Sequence, residues 1–259
     1  MHKLWFVVVV FALGLSSLAK AQDRPWETDA ALFDKVLAAA NAEGIQAVEP
    51  HAAAIEEALA AAPALFAEPI SDDGHQLVLV ESSAENLFVL TKAASENTGD
   101  VATVFNPYPP LALYLGVYYV EVGRFADGLR VLDAGLALSP APDEMLGETV
   151  PELLSERGVA LGRLQRLDEA LATYEKGLSI AQMDDGMRAV FHRGRGFVLI
   201  EMSRLDEAET AYKTSLELDP GNPIATKELA YIESLRAGGQ VQEPTLTIPG
   251  DKGKKGKLG

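Results

Sequence analysis

The sequence predicts a mainly α-helical protein: an α-solenoid of about three helix hairpins plus a capping helix, preceded by a helical region with a small β-hairpin. Three observations carry that prediction. RLDEALATYEKGLSI, residues 166–180, is echoed by RLDEAETAYKTSLEL, residues 204–218, and RFADGLRVLDAGLALSP, residues 124–140, precedes both. The three copies place a small, a large and a small residue in phase: Gly128, Leu132, Gly135; Ala170, Tyr174, Gly177; Ala208, Tyr212, Ser215. Each is preceded by a helical pattern with a further glycine at Gly116, Gly158 or Gly196. Finally, the chain is 48% hydrophobic and 23% charged and has no cysteine, so a globular core must be held by packing alone.

The residue types follow from the geometry of a helix pair. Small residues let two antiparallel helices approach closely, and a large apolar residue fills the space beside them. One hairpin cannot bury its apolar face alone, so each copy supplies part of its neighbour's core.

From the N-terminus, Met1-His2-Lys3 is a short positive region and Leu4–Leu15 is an apolar run. Ala19-Lys20-Ala21 then has the small-x-small form of a cleavage site. Residues 1–21 therefore read as a signal peptide. The run is shorter than the ~20 residues a membrane span needs. The expectation is an exported protein, periplasmic if bacterial and otherwise secreted, without stable membrane insertion after cleavage.

Residues 22–108 read as a helical, mixed α+β capping region. TDAALFDKVLAAANAEG predicts a helix started by Thr28 or Asp29 and stopped by Gly44; HAAAIEEALAAAPALFAE predicts a second. SDDG and SSAEN read as turns, QLVLV as a strand, NLFVLTKA as strand or helix, and VATVFNPYPP as extended.

Residues 109–238 hold the array, with units starting at Pro109, Pro151 and Ala189 and a half-unit at Pro223. Leu115-Gly116, Tyr119, Pro140 and the stretch GFVLIEMSRLDEAETAYKTSLELDPGNP place this region in phase with a known motif. It resembles the tetratricopeptide repeat, a 34-residue helix hairpin with small residues at positions 8 and 20 and large ones at 11 and 24. The spacing departs from that unit by insertions expected around Ala141–Val150 and Ala181–Arg188. Arg157 and Arg195 stand where the motif prefers Leu, and are expected to pack their stems and reach carboxylates. The half-unit ends at Gly238-Gly239 and reads as the terminal cap. Residues 239–259 are rich in Lys and Gly and read as a disordered tail, whose four lysines could touch an acidic surface, this protein's own included.

Chemistry is poorly represented. A net charge of −16 opposes nucleic-acid binding, because phosphates would be repelled. His51, His75 and His192 are far apart in sequence and form no metal motif. No nucleophile elbow, Walker loop or dinucleotide fingerprint occurs. The glycines of FHRGRGF fall within a repeat helix. The expectation is no catalytic residue, no metal and no cofactor: a protein that is not an enzyme.

The resemblance implies a concave groove lined by first helices, which in that family takes a peptide or partner helix. Carried over by position, the groove residues are Tyr114, Val117, Glu121, Val159, Arg163, Arg193, Phe197, Ile200, Lys227 and Tyr231. Leu113, Val120, Glu156, Glu201 and Leu235 share those positions. The expected activity is that of an exported protein-protein interaction adaptor or scaffold with a protein or peptide partner. Two alternatives are a ligand-binding or enzymatic 22–108 region with the repeats as docking handle, and a structural subunit of an envelope complex.

Overall fold

A computed structural model describes residues 24–65, 70–72, 75–139, 149–181 and 183–239. Residues 1–21, read above as a signal peptide, lie outside the described residues, as do 140–148, where most of the first insertion is expected, and 240–259. Two compact units divide the chain: Met1–Ala112 with Ala137–Val150, and Leu113–Leu136 with Pro151–Gly259.

The first unit opens with α1 (Pro25–Glu43). This helix starts earlier than expected: Pro25 takes the first helical position, where its missing N–H costs nothing. Thr28 and Asp29 are therefore helical, and Asp29 accepts a 2.9 Å bond from the buried Tyr108 hydroxyl instead of capping. Gly44, with φ of 87°, ends the helix as expected. A 3₁₀ segment (Ile45–His51) leads into α2 (Ala52–Leu65).

β1 (Ile70–Asp72) and β2 (His75–Val80) form the antiparallel hairpin, with Ile70 opposite Leu77. β3 (Val101–Phe105) adds to it in parallel, Gln76 opposite Val101 and Val80 opposite Phe105. A parallel return needs a crossover, which is α3 (Ser83–Glu96). The ambiguous NLFVLTKA run is thus helical. Its start is a capping exchange within SSAE: Ser82 accepts from the Glu85 N–H at 3.1 Å, and the Glu85 carboxylate accepts from the Glu81 N–H at 2.7 Å. Phe33 and Phe105 bring α1 and β3 together, their ring centroids 5.4 Å apart. Glu81 accepts from Ser139 Oγ at 2.8 Å and from Thr149 N–H at 3.0 Å, holding both ends of the first insertion.

The array consists of α4 (Tyr108–Glu121) with α5 (Phe125–Ala137), α6 (Val150–Arg163) with α7 (Leu167–Leu178), α8 (Asp185–Glu201) with α9 (Leu205–Leu218), and α10 (Pro223–Arg236). Its residues Leu113–Leu136 and those from Pro151 onward belong to the second unit.

The three hairpin turns are one turn repeated. Gly123, Gln165 and Ser203 adopt left-handed φ of 79°, 57° and 59°. The following N–H, of Arg124, Arg166 or Arg204, donates to a carbonyl five residues back at 2.7–2.9 Å. That arginine then pairs with the acid three residues on, Asp127, Glu169 or Glu207, at 2.7–2.8 Å. The arginine that opens each sequence echo is therefore a turn residue. These pairs are exposed, so water and salt screen them and they fix the turn's geometry more than its stability.

Within each hairpin the predicted small and large positions meet. A Cβ on Gly116 would lie 2.5 Å from Leu132, one on Gly158 2.5 Å from Tyr174, and one on Gly196 2.7 Å from Tyr212. Between hairpins, Gly177 of α7 receives the ring of Phe191 of α8. Arg157 reaches Asp133 at 2.6 Å and Arg195 lies 3.8 Å from Glu175, stems packed and heads outward.

The second insertion is not wholly a turn. Residues 185–188 add a helical turn to the start of α8, capped by Asp184 accepting from the Met187 N–H at 2.9 Å. Arg188 then donates to the carbonyls of Ile180 at 2.9 Å, Ala181 at 3.0 Å and Met183 at 3.1 Å. One guanidinium fork satisfies acceptors left over beyond the end of α7. At the far end, Arg236 of α10 bonds Glu209 and Asp206 of α9, fastening the cap.

Candidate functional site: the face of the first helices

The helices α4, α6, α8 and α10 are the first helices of successive units, and position 9 of each unit contributes Val117, Val159, Phe197 and Tyr231. All four are half-buried, whereas the residues around them on the same helices, such as Leu115, Leu161 and Leu199, are fully buried. The Phe197 ring leans toward the neighbouring unit: a Cβ on Gly162 of α6 would sit at an ordinary 3.7 Å from it. Tyr114 is half-buried as well, and burial raises its hydroxyl pKa.

The carboxylates on this face are Glu121 at the end of α4, Glu156 on α6, Glu201 at the end of α8 and Glu228 on α10, all half-buried. Glu156 is pushed up to about 7, first because its surroundings strip water from it and second because Glu121 carries like charge. Burial likewise raises Glu228.

The cations are spent differently. Arg193 donates to Asp219 and to Ser215 Oγ, both at 3.2 Å, so it ties α8 to α9 rather than waiting for a ligand carboxylate. Arg163 lies 5.9 Å from the centroid of the Phe125 ring. Lys227 is exposed. Three residues assigned to the groove by position belong to the core instead: Ile200, Val120 and Leu113 are 7%, 9% and 6% exposed. An apolar side chain at these positions gains more by turning into the interhelical space than by facing water.

Sequence reasoning placed Gly194 within a repeat helix but gave it no packing role. Its missing side chain admits Tyr174 from α7, whose ring would stand 2.3 Å and whose hydroxyl 2.8 Å from a Cβ there. Tyr174 thus passes between the first helices of two units, with Glu156 near enough to raise its pKa further. The signal was available in the alignment of units. Position 6 is Tyr114, Glu156 and Glu228 in three of them and Gly194 in the fourth.

The titration of Glu156 gives a signed prediction. A carboxyl group whose folded pKa exceeds its unfolded one binds more protons when folded. Stability therefore falls as pH rises between the two values, 4.5 and about 7. Glu156→Gln removes that loss. The variant is expected to match the parent near pH 5 and to exceed it at pH 8 by up to about 3 kcal/mol, at about 1.4 kcal/mol per pKa unit. Denaturant unfolding of both proteins at the two pH values checks this; a constant difference across the range would mean that Glu156 is ordinarily solvated.

Among the described residues no group of three or more metal-ligating side chains occurs, and no helix is long and apolar enough to cross a membrane.

A tetratricopeptide-repeat family model matches residues 151–182 and 194–222. Those two stretches carry tetratricopeptide repeats. The two matched stretches are the α6–α7 hairpin and most of α8–α9, where the small-to-large contacts at Gly158 and Gly196 lie. Comparison with curated proteins finds no match. Among solved structures, the chain is similar to the first tetratricopeptide-repeat domain of human RPAP3 at 22% identity, over 51% of this chain and 94% of that one, with a TM-score of 0.44. It is similar to MamA from Desulfovibrio magneticus RS-1 at 15% identity, over 84% and 88%, with a TM-score of 0.46. A third is PcrH in complex with the chaperone binding region of PopB, at 15% identity, over 51% and 97%, with a TM-score of 0.39.

Proposed function

We propose that the protein is a non-catalytic, exported adaptor that takes an extended peptide or helix of a partner protein along the face of its first helices. One observation carries the reading: Val117, Val159 and Phe197 stand half-buried at one equivalent position of three successive repeats, amid fully buried neighbours. A file of apolar groups at repeat spacing matches a ligand that runs across the helices and meets each in turn. Tyr231 extends the file onto α10, and Lys227, the exposed cation of this face, is placed to meet a partner carboxylate. Export is inferred from the signal-like residues 1–21.

The experiment is capture of envelope or secreted proteins by the full chain and by a Phe197→Ala, Tyr231→Ala double variant. Capture of the partner is expected to fall at least tenfold while the unfolding midpoint moves little, since both side chains are half-buried. Undiminished capture by the double variant would refute the groove.

A further inference from the structure

We propose that the first-helix face carries a notch for one lysine side chain of the partner segment, formed by the Tyr174 hydroxyl and the Glu156 carboxylate. The proposal rests on the partner-groove reading above and gives that partner a chemistry.

The notch exists because two glycines bracket one ring. Tyr174 comes from α7 and enters between α6 and α8. A Cβ on Gly158 would lie 2.5 Å from its phenolic carbon Cζ, and one on Gly194 would lie 2.8 Å from its hydroxyl oxygen. A side chain at either position would close the gap in which the hydroxyl stands. The residue is 2% exposed, yet among the described residues its hydroxyl makes no hydrogen bond. A sealed oxygen without a partner would be costly. This one is not sealed, so the little surface Tyr174 keeps includes its tip, between the two first helices.

Glu156 supplies the charge. It stands three residues before Val159, one turn away on the same face of α6. It is near enough to Tyr174 to act on the hydroxyl, and it feels Glu121 as like charge. Among the described residues Glu156 itself has no hydrogen bond and no ion pair. The arginines of α6 and α8 around it are committed elsewhere. Arg157 bonds Asp133, Arg193 bonds Asp219, Arg195 lies 3.8 Å from Glu175, and Arg188 holds the carbonyls beyond α7.

Two acceptors without a donor, beside an apolar file, fit an ammonium on an apolar stem. Lysine carries three donors on a compact charge, so one ammonium can reach the carboxylate and the phenolic oxygen together. Its methylenes would lie along Val159. Arginine presents its donors in a rigid planar fork that suits the two oxygens of one carboxylate, and it is wider than a gap opened by one missing side chain. Charge at longer range agrees. The chain carries −16, and Glu201 and Glu228 are half-buried on the same face, so a basic segment is drawn to it.

The probe is the fluorescein-labelled peptide LSLSKSLSL, which when extended sets four leucines and the lysine on one side. Its isomer LSLKSSLSL turns the lysine to the other side at equal charge. A third peptide has norleucine in place of the lysine, and a fourth has arginine. Affinity for the full chain is read by fluorescence anisotropy. LSLSKSLSL is expected to bind at least tenfold tighter than its isomer, and in Glu156→Gln that preference is expected to shrink to within about twofold. Tyr174→Phe, which keeps the ring, is expected to weaken LSLSKSLSL several-fold and leave the norleucine peptide unchanged. Carbodiimide coupling, which joins a carboxyl to an amine with no spacer, is expected to link the peptide lysine to Glu156, as mapped by mass spectrometry.

Equal affinity of the two isomers, or a preference that survives in Glu156→Gln, would overturn the notch. If the norleucine peptide still binds and the Phe197/Tyr231 double variant abolishes that binding, the groove stands without it. If none of the peptides binds, the groove reading falls and the notch falls with it. Binding of the arginine peptide as tight as that of the lysine peptide would overturn the assignment to an ammonium. An amide from Glu156 to a lysine of the protein itself, formed without peptide, would assign the notch to its own chain or a second copy and overturn the partner segment.

Discussion

Tyr174→Ala is expected to lower the unfolding free energy by about 3–5 kcal/mol, the range for removing a large buried aromatic side chain. Tyr174 is 2% exposed. Its ring is walled by Gly158 of α6 and Gly194 of α8, either of which would place a Cβ within 2.5 Å of it, and its edge meets Phe191 at a centroid distance of 6.0 Å. Glycines have no side chain to relax into the space, so the cavity stays open and the cost lies toward the upper end. The ring also belongs to two units, so hydrogen exchange should speed up in both α6 and α8, as expected where stability resides in neighbour contacts. A loss below 1 kcal/mol by denaturant titration, or faster exchange confined to α7, would show that the ring does not bridge the hairpins.

Gly177→Ala is expected to destabilise as well, against the intrinsic preference of a helix for Ala. That preference favours Ala by about 1 kcal/mol. Here a Cβ would lie 1.8 Å from Cε1 of Phe191, a ring with no exposed surface. Overpacking of this kind costs about 1–3 kcal/mol and at times more, so the clash decides the sign. The internal control is Gly162→Ala, whose Cβ would meet Phe197 at an ordinary 3.7 Å. That change is expected to be neutral or to stabilise by up to about 1 kcal/mol. Phe191→Leu in the Gly177→Ala background should recover part of the loss, read as a coupling energy in a double-mutant cycle. If both glycine variants moved stability alike, the close approach of α7 to α8 would be wrong.

The array was legible because its constraints are local and repeated. Gly116, Gly158 and Gly196 each stand sixteen residues before the large residue they touch, and that spacing is visible in the letters. The first unit was less so. The parallel pairing of β2 with β3 joins Gln76 to Val101 across a helix, and no short-range pattern announces it. Helix α3 was legible in principle, since Ser82 and Glu85 form the capping exchange and Asn97 takes a left-handed φ of 52° at its end. On the site, position within the unit located the half-buried file but not the rotation of each side chain. Ile200 turned inward because burial favoured it, and Arg193 found Asp219 because the end of α9 placed an acid there. A register argument cannot distinguish a residue that faces a groove from one that leans beside it.

The most direct measurement of the central claim, that the first-helix face takes a partner segment, is site-specific photo-crosslinking in the native host. A photoreactive phenylalanine analogue is placed at Phe197, and in a second protein at Glu217, an exposed position on α9. The account predicts one dominant protein adduct from position 197, absent from 217 and unchanged by mild detergent. Adducts of equal yield from both positions, or adducts from 217 alone, would contradict it.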